Sequence, residues 1–523
     1  MLTRLTPKAW LNGQPLSPRA HVIWGLLLPA IVLAVQMSRV WSFTVDDAYI
    51  SFRYARNLAE GYGLVYNPGE YVEGYTNFLW TLILALGIKL NIDPVLASKV
   101  MGAASAFGSL ALTYRLSQRL MPLRSFPCVS TWLLSTSIVF SGYAIFGLET
   151  GGFLFLILLG CWLMLNETDV ANRTHWPWSG LVFGLAALTR PEAPLFIGLL
   201  MLFLGRQFLG RQNIYRGLLF VSLVGAHLLF RVYYYGSWMP NTLSAKTGNL
   251  EYQLGNGLTY LMNYAEHTGP ILWFALLGTV TAITLKQKQL IAIAVMAIAF
   301  SSYIALVGGD WMPLFRFMSP VEPLVFILMD AGLRSLLDRR EQALNITLAI
   351  ILGIAAWARL DTLQDSQDFI IDHEKHFWDT AAGGTAQWFL QNGKPGDIGI
   401  GDIGYIGYAT RRPILDLLGL VDPNISRMRG GYTQKTGSEW LDYIFERAPR
   451  YLLIISSSHH CQQPSVYGSQ LIYNDPRFAQ RYQLAGKTRL DNGFAWCFYE
   501  LTVTSGESRN TSSDTHPQAS SPY

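Results

Sequence analysis

Charged residues are scarce in this chain. Asp, Glu, Lys and Arg make up 14% of its 523 residues, where soluble domains hold about a quarter. With 51% hydrophobic residues and a mean hydropathy of +0.25, the composition predicts a polytopic membrane protein with some soluble mass attached. The formal net charge is only +4, and no basic stripe interleaves with aromatics, so a nucleic-acid partner is excluded. Cysteine is equally rare, at four. Cys128 and Cys161 fall in apolar runs and read as packing residues. Cys461 and Cys497 fall in the polar C-terminal part, where one disulfide and two free thiols are both open; an extracytoplasmic location would permit the bond. The chain has no Walker A sequence, no H-E-x-x-H and no G-x-S-x-G, so ATP-driven transport, zincin and serine-hydrolase chemistry have no support. "GIGDIG" (399–404) matches a dinucleotide fingerprint in letters alone, with no long helix clearly following, and reads as a turn. "SHHC" (458–461) lacks a second ligand pair that would complete a metal site. There is no internal repeat.

What the chain has is long apolar runs. The first, residues 22–37, follows Arg4, Lys8 and Arg19, and the bulky "RVWSF" follows it in place of a small-residue cleavage site. This predicts an uncleaved first span with a cytoplasmic N-terminus. Further runs fall at 95–114, 127–147, 150–166, 178–189, 193–205, 215–235, 270–285, 289–307, 319–337 and 343–359. The basic clusters near Arg115, Arg211, Lys286 and Arg334 can all be cytoplasmic on two conditions. "NFLWTLILALGIKL" (77–90) must not cross, being too short for a span of ~20 residues. The run 178–205 must be two spans broken at Thr189-Arg190-Pro191-Glu192, because Pro191 breaks a helix and an Arg–Glu pair is costly at mid-bilayer. The prediction is then about 11 spans within residues 1–360. Residues 41–94 form a first outer loop, 361–503 an extracytoplasmic α/β domain, and 504–523 a disordered Ser/Thr/Pro-rich tail.

The chemistry-bearing residues all fall on the predicted outer face. In a helix over 46–59, Asp46, Ile50, Arg53 and Asn57 share one face and would present a carboxylate and a guanidinium to one cavity. Ala48, Phe52, Ala55 and Ala59 share another, and Gly61 and Gly63 end the helix. An amphipathic interfacial helix whose paired acids merely serve the helix dipole fits the same spacing. "LTRPE" places Arg190 and Glu192 at an outer break, where a simple ion pair is the competing reading. "YYYGSWMPNTLSAK" gives an aromatic membrane anchor, then Asn241 and Lys246, the latter suited to an anionic ligand. "GGDWMPLFRFMSP" places Asp310 and Arg316 at the outer end of a span, and "GLE" adds Glu149.

"DDAYISFRYARNLAEGYGLVYNPGEYVEGYTNFLW" resembles the first outer loop of the polyprenyl-phosphate-sugar-dependent GT-C glycosyltransferases, in particular the branch of the mycobacterial terminal arabinofuranosyltransferase B. That branch includes proteobacterial relatives that attach D-arabinofuranose to type IV pilin. "GLE", "LTRPE", "YYGSWMPNTLSAK", "GGDWMPLFRFMSPVEP" and "GDIGYIGYATRRPILDLLGLVDP" look like later signatures of the same branch, so the likeness runs to about residue 425. It implies a GT-C bundle with juxtamembrane helices in the first outer loop, in a bacterial inner membrane. It implies sugar transfer from a polyprenyl-phosphate donor to a glycan or pilin hydroxyl. Carried over, Asp46 becomes the general base, with Asp47 in support. Arg53, Lys246 and Arg316 become the clamp on the donor phosphate. Asn67, Glu73, Glu149, Arg190, Glu192, Asn241 and Asp310 become sugar- or acceptor-binding residues. A divalent metal on Asp46 and Asp47 stays open, and so does transfer of another lipid-linked sugar such as mannose or aminoarabinose. A transporter or flippase of lipid-linked sugars is the competing class. It would want ionisable residues near the midplane and two related halves, neither of which is visible.

Overall fold

The computed structural model describes residues 17–121, 128–168, 176–204, 210–246, 250–337, 358–430, 435 and 437–502. The expected last span (343–359) therefore lies almost wholly outside the described residues, as does the expected tail.

Among the described residues five helices are long and apolar enough to cross a membrane: Pro18–Arg39, Pro94–Leu120, Thr150–Glu167, Arg211–Tyr235 and Lys288–Val307. The helices Leu250–Thr268 and Trp273–Thr284 bend by 100° at Gly269 and count as a sixth if taken as one span. Among the described residues, length and composition thus mark five to six helices able to cross, so the predicted count of about eleven is not confirmed. Helices Trp178–Thr189 and Ala193–Leu204 have 12 residues each. The apolar run 127–147 is not one helix but two, Val129–Ser135 and Ile138–Ile145. The second starts where the Ser137 hydroxyl accepts the Phe140 N–H at 3.3 Å. "NFLWTLILALGIKL" forms a 12-residue helix, Phe78–Lys89, which spans only about 18 Å at 1.5 Å per residue. Glycine lets the bundle close up: a Cβ on Gly102 would lie 1.6 Å from the Ala144 carbonyl oxygen, and one on Gly278 1.9 Å from that of Leu328.

The polar C-terminal part folds over a helical run (358–391) and a five-stranded sheet. The strands are β1 (Ile398–Ile400), β2 (Ile414–Asp416), β3 (Tyr451–Ser456), β4 (Tyr482–Arg489) and β5 (Ala495–Leu501), in the order β2-β1-β3-β5-β4. β1 runs parallel to β2 and β3; β5 runs antiparallel to β3 and β4. β3 is almost wholly buried, and the helix Ser438–Arg447 precedes it. Cys461 and Cys497 are disulfide-bonded, which closes the alternative that the sequence left open.

The outer domain and the first outer loop share one apolar core. Ile50, Tyr54, Leu64, Tyr66 and Tyr75 from the loop pack with Ile398, Ile403, Ile406, Val421 and Trp496 from the domain. Phe52 and Ala55 of the same loop helix belong instead to the core of the helical bundle. The loop helix is a wedge between the two bodies.

Candidate functional site

The wedge helix runs Asp46–Glu60. Val45 precedes it in extended conformation, both acids lie in its first turn, and Gly61, at φ 91°, ends it by donating its N–H to the Asn57 and Leu58 carbonyls. Ala48, Phe52 and Ala55 face the bundle, as their spacing predicts. The opposite face differs from expectation. Asp46, Ile50, Arg53 and Asn57 are all buried, against the outer domain and the loop's own returning segment.

Asp46 lies at the foot of the helix Gly404–Thr410. Its Oδ2 accepts the Gly404 N–H at 3.0 Å and its Oδ1 the Tyr405 N–H at 2.7 Å. Both carboxylate oxygens are thus engaged by amides of the outer domain. Burial pushes the carboxyl up to about 8, these amides pull it back, and nearby Asp402 and Asp47 push it further. A Cβ on Gly404 would fall 2.1 Å from the Asp46 carbonyl oxygen, so glycine is required for this approach. "GIGDIG", which reads as a turn in the sequence, is one only in part: its first two residues end β1, and only 401–403 turn before the helix at Gly404, the turn that meets Asp46.

Asp47 points elsewhere and is partly accessible. Burial raises its carboxyl, and the opposing charges of Lys246 and Arg316 lower it; Asp310 and Glu149 are the next groups it feels. Lys246 ends the short helix Asn241–Lys246. Its side chain can be reached by solvent, yet the surrounding walls lower its ammonium below the ordinary value, with Asp47 opposing. Arg316 is fixed by Asp310: Nε to Oδ2 at 2.6 Å and Nη2 to Oδ1 at 3.1 Å. Burial works against its charge, but the carboxylates of Asp310, Asp47 and Glu149 together hold the guanidinium above its ordinary value. Arg190 binds Glu149 at 3.0 Å and Glu192 at 2.8 Å. The structure therefore brings together Asp47, Glu149, Arg190, Glu192, Lys246, Asp310 and Arg316, where four acids meet three bases.

The remaining expected residues are placed as braces. Arg53, assigned by resemblance to the donor phosphate, spends its donors on the carbonyls of Tyr66 (2.8 Å), Gly407 (2.6 Å) and Arg412 (2.8 Å) and on Asn67 Oδ1 (3.1 Å). It also stacks over the Tyr66 ring. It is 2% exposed, and four of its five N–H groups are taken by these protein acceptors. Asn67 binds the backbone N–H and carbonyl of Ile414. Asn241 donates to the Gly419 and Leu420 carbonyls and accepts from Ser426. Glu73 pairs with Arg231 at 2.6 Å. All four tie the first outer loop, or the segment after the Arg211–Tyr235 helix, to a neighbour.

Three residues at the site were not anticipated. Asn77 donates to Glu149 Oε2 at 2.8 Å and exchanges hydrogen bonds with Ser51; the polar Asn before "FLW" was its only signal. Tyr303 donates to Glu192 at 3.4 Å from the middle of an apolar run. Asp402 lies two residues before Gly404, and burial together with the charge of Asp47 raises its carboxyl to about 6. Among the described residues no three His, Cys, Asp or Glu side chains are grouped as a metal ligand set.

Comparison with known proteins gives three kinds of likeness. Residues 371–503 match a family described as a domain of unknown function, DUF8728. The terminal β-(1→2)-arabinofuranosyltransferase of Corynebacterium glutamicum is 28% identical over 439 residues, covering 71% of this chain and 60% of that protein. That of Mycobacterium tuberculosis is 28% identical over 244 residues, covering 42% of this chain and 37% of that protein. The chain thus spans about three fifths or less of the length of these relatives. Among solved structures, ArnT from Cupriavidus metallidurans in the apo state superposes with a TM-score of 0.55 at 12% identity, covering 90% of this chain and 97% of that one. ArnT bound to undecaprenyl phosphate gives 0.54 at 13% identity, covering 92% and 98%. The fold is therefore the ArnT-like GT-C fold, and the homologues named here are arabinofuranosyltransferases.

Proposed function

We propose that this chain is a glycosyltransferase of the bacterial inner membrane. It moves a sugar, D-arabinofuranose as the first choice, from a polyprenyl-phosphate donor to a hydroxyl of a surface glycan or pilin on the outer face. The observation that carries this reading is the juxtaposition of Asp47 with Lys246 and Arg316 where the chain leaves its apolar helices. An acid and two cations, set at the lipid boundary, match a reaction that joins a lipid phosphate to a water-borne hydroxyl. The names of the relatives support the sugar, and the solved relative holding undecaprenyl phosphate supports the donor class.

In the reaction the acceptor oxygen forms a bond to the anomeric carbon, the bond from that carbon to the phosphate oxygen breaks, and the acceptor proton passes to a carboxylate. Of the acid pair, Asp47 is the better proton acceptor, because Asp46 already spends both oxygens on Gly404 and Tyr405. Asp46 then serves by holding the outer-domain turn, with Asp402, against the site. The departing polyprenyl phosphate keeps the electron pair, and Lys246 and Arg316 stabilise the charge that develops there. Asp310 pre-orients Arg316, so little reorganisation is needed at the moment of transfer. The Asn77–Glu149–Arg190–Glu192 chain fixes the wall on which sugar or acceptor hydroxyls would rest.

The test is product formation by the purified chain in detergent, supplied with synthetic polyprenyl-phosphate-arabinofuranose and an arabinofuranosyl acceptor. Asp47→Asn is expected to lose about 10²–10⁴-fold in turnover with its melting temperature unchanged. A folded, fully active Asp47→Asn protein would overturn the assignment of the base. Donor binding without transfer by wild type points to another acceptor. Absence of donor binding points to another lipid-linked sugar, or to lipid translocation, which proteoliposomes would detect.

A further inference from the structure

A second polar cavity lies behind the Arg316 turn and takes no part in the chemistry above. Its volume is about 250 Å³, and its walls include Ser137, Glu266, His267, Glu322, Arg359 and Thr362. It sits where three helical breaks meet: the Thr136–Ser137 interruption, the 100° bend at Gly269, and the start of the helix Glu322–Leu337. Phe315, the residue before Arg316, packs against His267 of its wall. That ring packs 5.7 Å from Tyr264 and 5.4 Å from His267. Leu314 and Phe315 both hold left-handed backbone conformations, at φ 60° and 56°, strain that the surroundings must maintain.

The two opposite charges of this cavity, buried Glu322 and partly exposed Arg359, feel each other but form no direct ion pair. Glu322, 2% exposed, accepts from Ser137 Oγ at 2.8 and 2.7 Å and from the Tyr264 hydroxyl at 3.3 Å. The Arg359 Nε donates to Thr136 Oγ1 at 3.0 Å and its Nη2 to the Leu133 carbonyl at 2.8 Å. Its Nη1 makes no hydrogen bond among the described residues, and no ion pair joins Arg359 to Glu322. Opposite charges that line one cavity without closing on each other leave room for a group that is negative towards one and positive towards the other. Glu266, exposed beside it, adds a second carboxylate on the positive-seeking side. Trp273, 71% exposed, stands just beyond the bend, as aromatic side chains do at a membrane–water boundary.

We infer that this cavity binds the headgroup of a zwitterionic membrane phospholipid, with its phosphate on Arg359 and its ammonium on Glu322 and Glu266. Phosphate is a geometric partner for guanidinium, and polar pockets between helix ends are where headgroups dock. An occupied cavity would support the strained turn from behind and so steady Arg316.

The experiment is native mass spectrometry of the delipidated full-length protein with dioleoyl phosphatidylethanolamine or dioleoyl phosphatidylglycerol added singly. Expected is one retained phosphatidylethanolamine per chain, about tenfold tighter than phosphatidylglycerol. Arg359→Gln should weaken both lipids. Glu266→Gln, at an exposed position, should narrow the gap between them. Equal retention of the two lipids by wild type would overturn the inference, as would phosphatidylethanolamine retention that neither variant changes. Displacement by inorganic phosphate as readily as by glycerophosphoethanolamine would reduce the site to a simple anion pocket and overturn it too. Displacement by undecaprenyl phosphate would make the cavity a donor site and overturn this inference together with the Lys246–Arg316 clamp. If donor binding is instead lost in Lys246→Ala while the lipid result fails, the clamp survives without the cavity.

Discussion

Asp46 and Asp47 are adjacent in sequence and do different work, because successive helical residues point about 100° apart. Asp46 turns towards the outer domain and meets two amides; Asp47 turns towards Lys246 and Arg316. The same rotation decides Arg53. Placed seven residues after Asp46 it shares its face, and that face is covered by the outer domain rather than open to a ligand. Arg53→Leu is therefore expected to cost at least ~3 kcal/mol of stability, since charge-assisted bonds to three carbonyls and Asn67 are lost at a buried site. A phosphate-binding role would give a different result: an unchanged melting temperature and a raised KM for donor. Thermal unfolding of the variant beside its donor titration separates the two.

At the scale of elements, the site depends on the contact between the Asp46–Glu60 and Gly404–Thr410 helices. Gly404 and Gly407 make that approach possible. A Cβ at Gly407 would lie 2.0 Å from the Tyr66 hydroxyl, which itself donates to the Ile403 carbonyl at 2.5 Å. Gly404→Ala forces this interface apart, and overpacking of this kind costs about 1–3 kcal/mol. The expected outcome is a lowered melting temperature with turnover reduced more than donor affinity, because the displaced groups are Asp46 and Asp402 rather than the clamp. Wild-type turnover in Gly404→Ala would mean that the outer domain does not position the acid pair. Sequence periodicity located the wedge helix and its two faces correctly. It could not say that the polar face was a docking surface, because a buried brace and a ligand-facing pair carry the same residues at the same spacing.

For the whole molecule, the outer domain is attached through the shared apolar core and is stapled internally. Cys461 follows β3 and Cys497 lies in β5, 36 residues apart. A loop of that length is worth about 4 kcal/mol by chain entropy. Reduction should lower the melting temperature of the outer domain and, through the Asp46 contact, reduce transfer activity. Calorimetry with and without dithiothreitol checks this, and an unchanged transition would mean that the bond adds nothing to the docked domain. The bond also agrees with a domain in an oxidising compartment, where the proposed donor is presented.

Composition alone determined that this chain lives in a membrane, because 14% charge cannot cover a soluble surface of this size. The local sequence determined the wedge helix, its glycine stop and the short break between the apolar runs 178–189 and 193–205, since each rests on neighbours within a few residues. The motifs "LTRPE" and "GGDWMPLFR" carried Arg190–Glu192 and Asp310–Arg316, pairs close enough in sequence to be read together. Only the tertiary structure decided which acid faces the cations, since Asp46 meets Gly404 358 residues away. It alone turned Arg53, Asn67, Glu73 and Asn241 into braces, because their partners come from distant segments or from backbone groups that no side-chain pattern announces. And it alone placed Glu322 and Arg359 on one cavity without pairing them, since separation in space is not written in spacing along the chain.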